Sequence, residues 1–139
     1  MATHDPPEPL ESSEPVANPF KGKTGVVRLV HAFLNSCAGL ADGFRNESAF
    51  RQEILLAAVL VPLAFVLQVS AVERALLVAS VVLVIIVELL NTGIEIAIDR
   101  ISHERHSLSK RAKDMGSAAV LLALVLLALV WAIIVLPKL

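Results

Sequence analysis

The strongest constraint on this chain is the run from Met115 to Leu136, 22 residues without a charged side chain. A backbone in hydrocarbon must satisfy its own polar groups, and about 20 apolar helical residues cross a bilayer, so the run predicts a spanning helix ended by Pro137. With 56% hydrophobic residues in a length of 139, the rest of the chain fits the same membrane domain and leaves no room for a separate soluble catalytic domain. A formal net charge of −1, with Lys and Arg gathered at helix ends, gives no footing for nucleic-acid binding. Cys37 is the single cysteine, so an intrachain disulfide and a multi-cysteine metal site are both excluded.

Taken in order, residues 1–20 hold five of the seven prolines with Asp5, Glu8, Glu11 and Glu14, the composition of a disordered acidic tail. This tail lacks the basic start and apolar core of a secretory signal, so the N-terminus is expected to stay in the cytoplasm. Ala17 to Thr24, ANPFKGKT, meets the loosest form of a phosphate-loop pattern. A working loop needs a preceding strand and a continuous set of backbone amides, and Pro19 removes one, so it is set aside. The membrane domain is expected over residues 21–139. Within it, residues 25–44 alternate apolar and charged groups at spacings of mainly 3 and 4, which suits an amphipathic helix on the membrane surface.

The second span is expected over residues 48–69, with Asn46 as a helix cap, Glu47 and Arg51 four apart as a candidate surface pair, and Pro62 inside the helix. Ser70 to Glu73 is a capping-box pattern that opens a third span over residues 71–99 in the reverse direction. A charged connection from Asp99 to Asp114 then leads to a span over residues 112–136. The fold class is therefore an all-α membrane protein, with three transmembrane helices plus an N-terminal amphipathic surface helix. Ten Lys and Arg fall on the side of the N-terminus and the charged connection, against Arg74 and Lys138 on the other. The positive-inside rule puts the N-terminus in the cytoplasm and the C-terminus outside.

Val84 to Arg100, VIIVELLNTGIEIAIDR, departs from the apolar pattern in an ordered way. Asn91, Glu95 and Asp99 follow Glu88 at offsets of 3, 7 and 11, which places all four on one helix face. An intramembrane carboxylate costs roughly 2.5 to 3.5 kcal/mol on insertion scales, so the seam needs a protein interior or a ligand. A neutral Asn or Ser would hold an oligomer together at less cost, which favours chemistry over a purely structural seam. Glu88 lies about 10 Å further into the membrane than Glu95 at helical rise. Phosphoryl transfer from ATP calls for this set of groups: carboxylate oxygens for Mg2+, cations such as Lys113 for phosphates, and a base for an acceptor hydroxyl. His103 and His106 read from sequence alone as solvated loop residues.

NESAFRQE (Asn46 to Glu53), VELLNTGIEIAIDR (Val87 to Arg100) and RAKDMGSAAVL (Arg111 to Leu121) together resemble the signature segments of bacterial integral-membrane diacylglycerol kinases, in the same order. The resemblance runs from about Gly25 to Leu136. It implies a homotrimer of three-helix subunits in the bacterial inner membrane, with the C-terminus in the periplasm, phosphorylating diacylglycerol with MgATP to phosphatidic acid. It implies Glu88 as general base and Glu47 and Glu95 as metal ligands that also serve the nucleotide. Arg28, Glu104, His106, Lys113 and Asp114 match nucleotide positions. Arg28, Arg51, Glu53, Glu88, Ser117 and Trp131 match lipid-substrate positions, with Asn91 and Asp99 as active-site support. Asn35 and Cys37 depart from the family, standing where a tyrosine and a tryptophan occur in the best-known members. The rival readings are undecaprenol kinase, whose acceptor is also a primary hydroxyl at the interface, and a small transporter with proton- or cation-binding carboxylates.

Overall fold

A computed structural model of the protein describes residues 25–101 and 107–138. The acidic tail, the ANPFKGKT segment, His103, Glu104 and His106 lie outside the described residues. The described residues form helices α1 (Val26–Asn46), α2 (Ser48–Val66), α3 (Ala71–Ile101) and α4 (Ser107–Val135), followed by a short 3-10 turn, Leu136–Lys138. Three of them, α2, α3 and α4, are long and apolar enough to cross a membrane. Ser36–Leu139 makes up one compact unit, and the described residues before Ser36 belong to another.

α3 is the central helix of the larger unit and packs against both α2 and α4. In one core cluster, Val81 and Val84 of α3 meet Ala123 and Leu127 of α4, with Ala57, Leu60 and Val61 of α2 against them. In the other, Leu77 meets Ala64 and Ile134. Contacts that advance along α3 retreat along α4 and α2, so both neighbours run antiparallel to it. Elsewhere the spans expose large apolar side chains, among them Leu55, Val59, Leu121 and Leu122, as a helix facing lipid or a neighbouring apolar surface must.

The link from α2 to α3 uses the capping box. Ser70 N–H donates to Glu73 Oε2 at 2.7 Å, and Glu73 N–H donates to Ser70 Oγ at 3.2 Å. The box also anchors the far end of the chain, because Lys138 Nζ donates to both oxygens of Glu73 at 3.0 Å. Pro62 sits inside α2 without ending it. α2 stops at Val66, short of the expected end, because Leu67 turns to extended geometry with its N–H on the Leu63 carbonyl.

Two sequence expectations need correction. Asn46 does not cap α2: it is the last residue of α1, where its Nδ2 donates to Asp42 Oδ1 at 2.7 Å. The cap position is taken by Glu47 in extended geometry, without a side-chain cap bond. The segment from Asp99 to Asp114 is also more helical than expected, since α3 continues to Ile101 and α4 begins at Ser107. Two ion pairs accompany this helix, Lys110 to Asp114 one turn apart and Lys113 to Asp99 across the two helices, each at 2.6 Å.

Candidate active site

A single residue, Glu47, separates α1 from α2, so the position of its carboxylate depends on how this junction is held. Glu47 N–H donates to the Gly43 carbonyl at 2.9 Å, completing the last turn of α1. Phe50, only 1% exposed, fills the space beside Gly43, where an added Cβ would come within 3.3 Å of its ring. The Arg51 guanidinium then donates to the carbonyls of Arg45 at 2.9 Å and Phe44 at 3.4 Å. These carbonyls end α1 without helical partners, so Arg51 caps the junction from the α2 side. No Glu47 to Arg51 ion pair forms among the described residues, and the candidate surface pair gives way to this capping role.

Along α3 the inward stripe changes character at one point. Leu77, Val81 and Val84 are buried and apolar; the next positions on the stripe are Glu88, 5% exposed, and Thr92, 9% exposed. The polar seam thus continues the core stripe and is enclosed by the subunit's own helices at Glu88.

Other carboxylates gather around Glu88. Glu53 of α2 is near enough for its charge to interact with that of Glu88. Glu88 in turn feels the charges of Glu95 and Glu47. Asn91 donates Nδ2–H to Glu95 Oε1 at 3.2 Å. Two buried oxygens in this group have no hydrogen-bond partner, Glu53 Oε2 and Asn91 Oδ1. Buried acceptors left unpaired cost about 1 to 3 kcal/mol each, and a donor supplied by a ligand would relieve that cost.

The remaining candidate residues lie in four places. Lys113 and Asp99 form their ion pair one turn beyond Glu95, and Asp114 is exposed beside them on α4 with Lys110. Ser117 is exposed on α4, next to the buried Gly116. Arg28 is exposed and belongs to the smaller unit. Trp131 is not brought to this group. It joins both apolar clusters, and its Nε1–H points to the Leu77 carbonyl at 3.4 Å. Leu77 is about 16 Å along α3 from Glu88 at helical rise, so the indole acts here in helix packing.

Sequence reasoning passed over Thr92 and Gly116. Thr92 follows Glu88 by four residues, so helical periodicity could have found it. Gly116 carries no such signal, since its importance lies in a contact between helices.

Among the described residues no group of three or more His, Cys, Asp or Glu side chains stands ready to hold a metal ion. Mg2+ does not require one, because it keeps several waters and is commonly bound through one or two carboxylates plus substrate phosphates. Glu47 and Glu95 offer oxygen donors, the donor type that ion takes.

The fold and site define a helical membrane protein whose central helix carries carboxylates along one half, groups that mark a functional site inside a span. Residues 34–135 match the family described as prokaryotic diacylglycerol kinase. A protein of Pseudomonas aeruginosa named diacylglycerol kinase is 55% identical over 119 residues, covering 86% of this chain and 97% of that protein. The protein of that name from Escherichia coli strain K12 is 49% identical over 111 residues, 80% of this chain and 91% of its own length. One from Haemophilus influenzae is 47% identical over 108 residues, 78% and 92% of the two chains. The chain belongs to the prokaryotic diacylglycerol kinase family.

Proposed function

We propose that the protein transfers the γ-phosphoryl group of ATP to the free hydroxyl of diacylglycerol, giving phosphatidic acid and ADP, at the cytoplasmic face of the bacterial inner membrane. The observation that carries this reading is the conversion of a buried apolar stripe into carboxylates at Glu88, in a chain of this family. Glu88 is the general base: the lipid oxygen bonds to the γ-phosphorus, the bond to the β,γ-bridging oxygen breaks, and the hydroxyl proton passes to the Glu88 carboxylate. Its burial keeps bulk water from competing with the lipid hydroxyl. Glu47 and Glu95 would hold Mg2+, which when bound neutralises charge on the phosphates. Lys113 and Asp114, with Arg28, Glu104 and His106, serve the nucleotide. Arg28, Arg51, Glu53 and Ser117 serve the lipid side, Arg51 chiefly by fixing the junction at Glu47. Asn91 supports Glu95, and Asp99 supports Lys113. Trp131 contributes through packing.

The concentration of Lys and Arg at the Glu95 end of α3 supports a cytoplasmic site, with the N-terminus on that side and the C-terminus in the periplasm. Purified protein in mixed micelles should form phosphatidic acid from diacylglycerol and MgATP faster than it phosphorylates undecaprenol under the same conditions. Preference for undecaprenol would reassign the acceptor, and phosphorylation of neither lipid would overturn the kinase reading.

We propose further that the working form is a homotrimer with α1 as a surface helix, on the strength of the family resemblance and the apolar surface left on the spans. The detergent-solubilised complex should have a protein mass three times that of the 14.9 kDa chain. Full activity in a species of single-chain mass would refute this.

A further inference from the structure

Gly116 lies buried in α4 where that helix meets Asn91 of α3. A Cβ built on Gly116 would overlap Asn91 Oδ1, so the carboxamide oxygen occupies space that any other residue's side chain would fill. That oxygen is buried and has no hydrogen-bond partner. The other end of the same amide donates to Glu95 Oε1. From these observations we infer that Gly116 is a positioning residue, whose missing side chain seats the Asn91 carboxamide so that the amide holds Glu95 in place.

The two ends of the carboxamide are rigidly coupled, so fixing the oxygen fixes the direction of Nδ2–H. Rotating the amide by half a turn would set its oxygen against the Glu95 carboxylate, two acceptors facing each other. Seated against the glycine Cα, the oxygen forfeits a hydrogen bond, and the opposite end of the group gains a charge-assisted one. An alanine at this position would push on the tip of a side chain, not on backbone, so the helices can stay packed while the amide turns away. Glu95 would then lose its donor. Gly93 offers a contrast on the same stretch of α3, since a Cβ there meets nothing within 4 Å. What directs the Asn91 amide is a contact between two helices, α3 and α4.

The kinetic consequence rests on the metal role proposed for Glu95, whereas the seat itself can be observed without metal or nucleotide. The test uses full-length protein in lipid nanodiscs, with Gly116→Ala, Asn91→Ala, the double variant, Glu95→Gln and Gly93→Ala. The Asn91 side-chain amide resonance, read by NMR with no ligand added, should move in Gly116→Ala and in Glu95→Gln and stay in place in Gly93→Ala. The KM for MgATP should rise about 10-fold in Gly116→Ala, the range of supporting contacts around a metal, with kcat changed less. Adding Gly116→Ala to Asn91→Ala should change that KM by less than about twofold, because the two act as one unit. An unmoved resonance in Gly116→Ala, or KM effects that multiply in the double variant, would overturn the inference. A resonance that moves while KM stays constant supports the seat and removes the metal role from Glu95. Should Gly116→Ala fail to fold, a folded double variant supports the seat, since the struck atom is gone, and an unfolded one refutes it.

Discussion

Glu88→Gln is expected to lower turnover by about 10²-fold or more while leaving MgATP binding intact. The amide keeps the size of the carboxylate and can still hydrogen-bond to a lipid hydroxyl, but it cannot accept the proton that the hydroxyl releases. Because Glu88 is buried among α2, α3 and α4 with other carboxylates near it, the change also removes charge repulsion. A neutral amide is easier to keep in a membrane interior than an ionised carboxylate, so the variant should fold and assemble at least as well as the parent. That separates loss of the base from loss of the protein. Lipid phosphorylation and nucleotide affinity would be measured on the same preparation, after its oligomeric mass is checked. Near-normal turnover would remove Glu88 from the role of base. Lost MgATP binding here, with normal binding in Glu95→Gln, would mean that the roles of the two carboxylates are reversed.

What could be read from the sequence, and what could not, follows the range of the interactions involved. The three spans were legible because apolar length alone specifies them. Ser70 and Glu73 formed their reciprocal cap as their spacing suggested, since both partners lie within a single turn. The seam was legible for the same reason, with Glu88, Asn91 and Glu95 close together on a single helix. Asn46 has the same local propensity as Ser70 to cap a helix, yet the outcome there was decided by Phe50 packing beside Gly43 and Arg51 reaching back to α1, which no local pattern encodes. The charged stretch after Asp99 reads as a connection because its residues are polar; its described residues are helical, and Lys113 pairs there with Asp99 of the facing helix. Trp131 was legible only through resemblance, because its contacts with both apolar clusters join α4 to α3 and leave no mark in local spacing.

Neutralising Glu47 and Glu95 together is expected to abolish measurable phosphorylation, although each single change should leave an enzyme that added Mg2+ can partly restore. The two carboxylates come from different local structures, Glu47 from the junction between α1 and α2 and Glu95 from the polar half of α3. Their common neighbour is Glu88, whose charge interacts with both. Mg2+ tolerates the loss of one protein oxygen because water and phosphate oxygens complete its octahedron, so either glutamate alone should retain weak binding. Each single glutamine variant should therefore raise the KM for MgATP by about 10-fold or more, with kcat at saturating Mg2+ less affected. With both glutamates replaced the ion has no charged anchor, and the negative phosphates would face Glu88 without compensation. The loss should then exceed the product of the single effects, a sign that the two residues share one ligand. Binding of Mn2+ to the nucleotide-free protein, followed by electron paramagnetic resonance, gives the same comparison without turnover. Single variants whose KM does not respond to Mg2+ concentration, or a double variant that shows only the product of the two single effects, would mean that Glu47 and Glu95 do not hold a common ion.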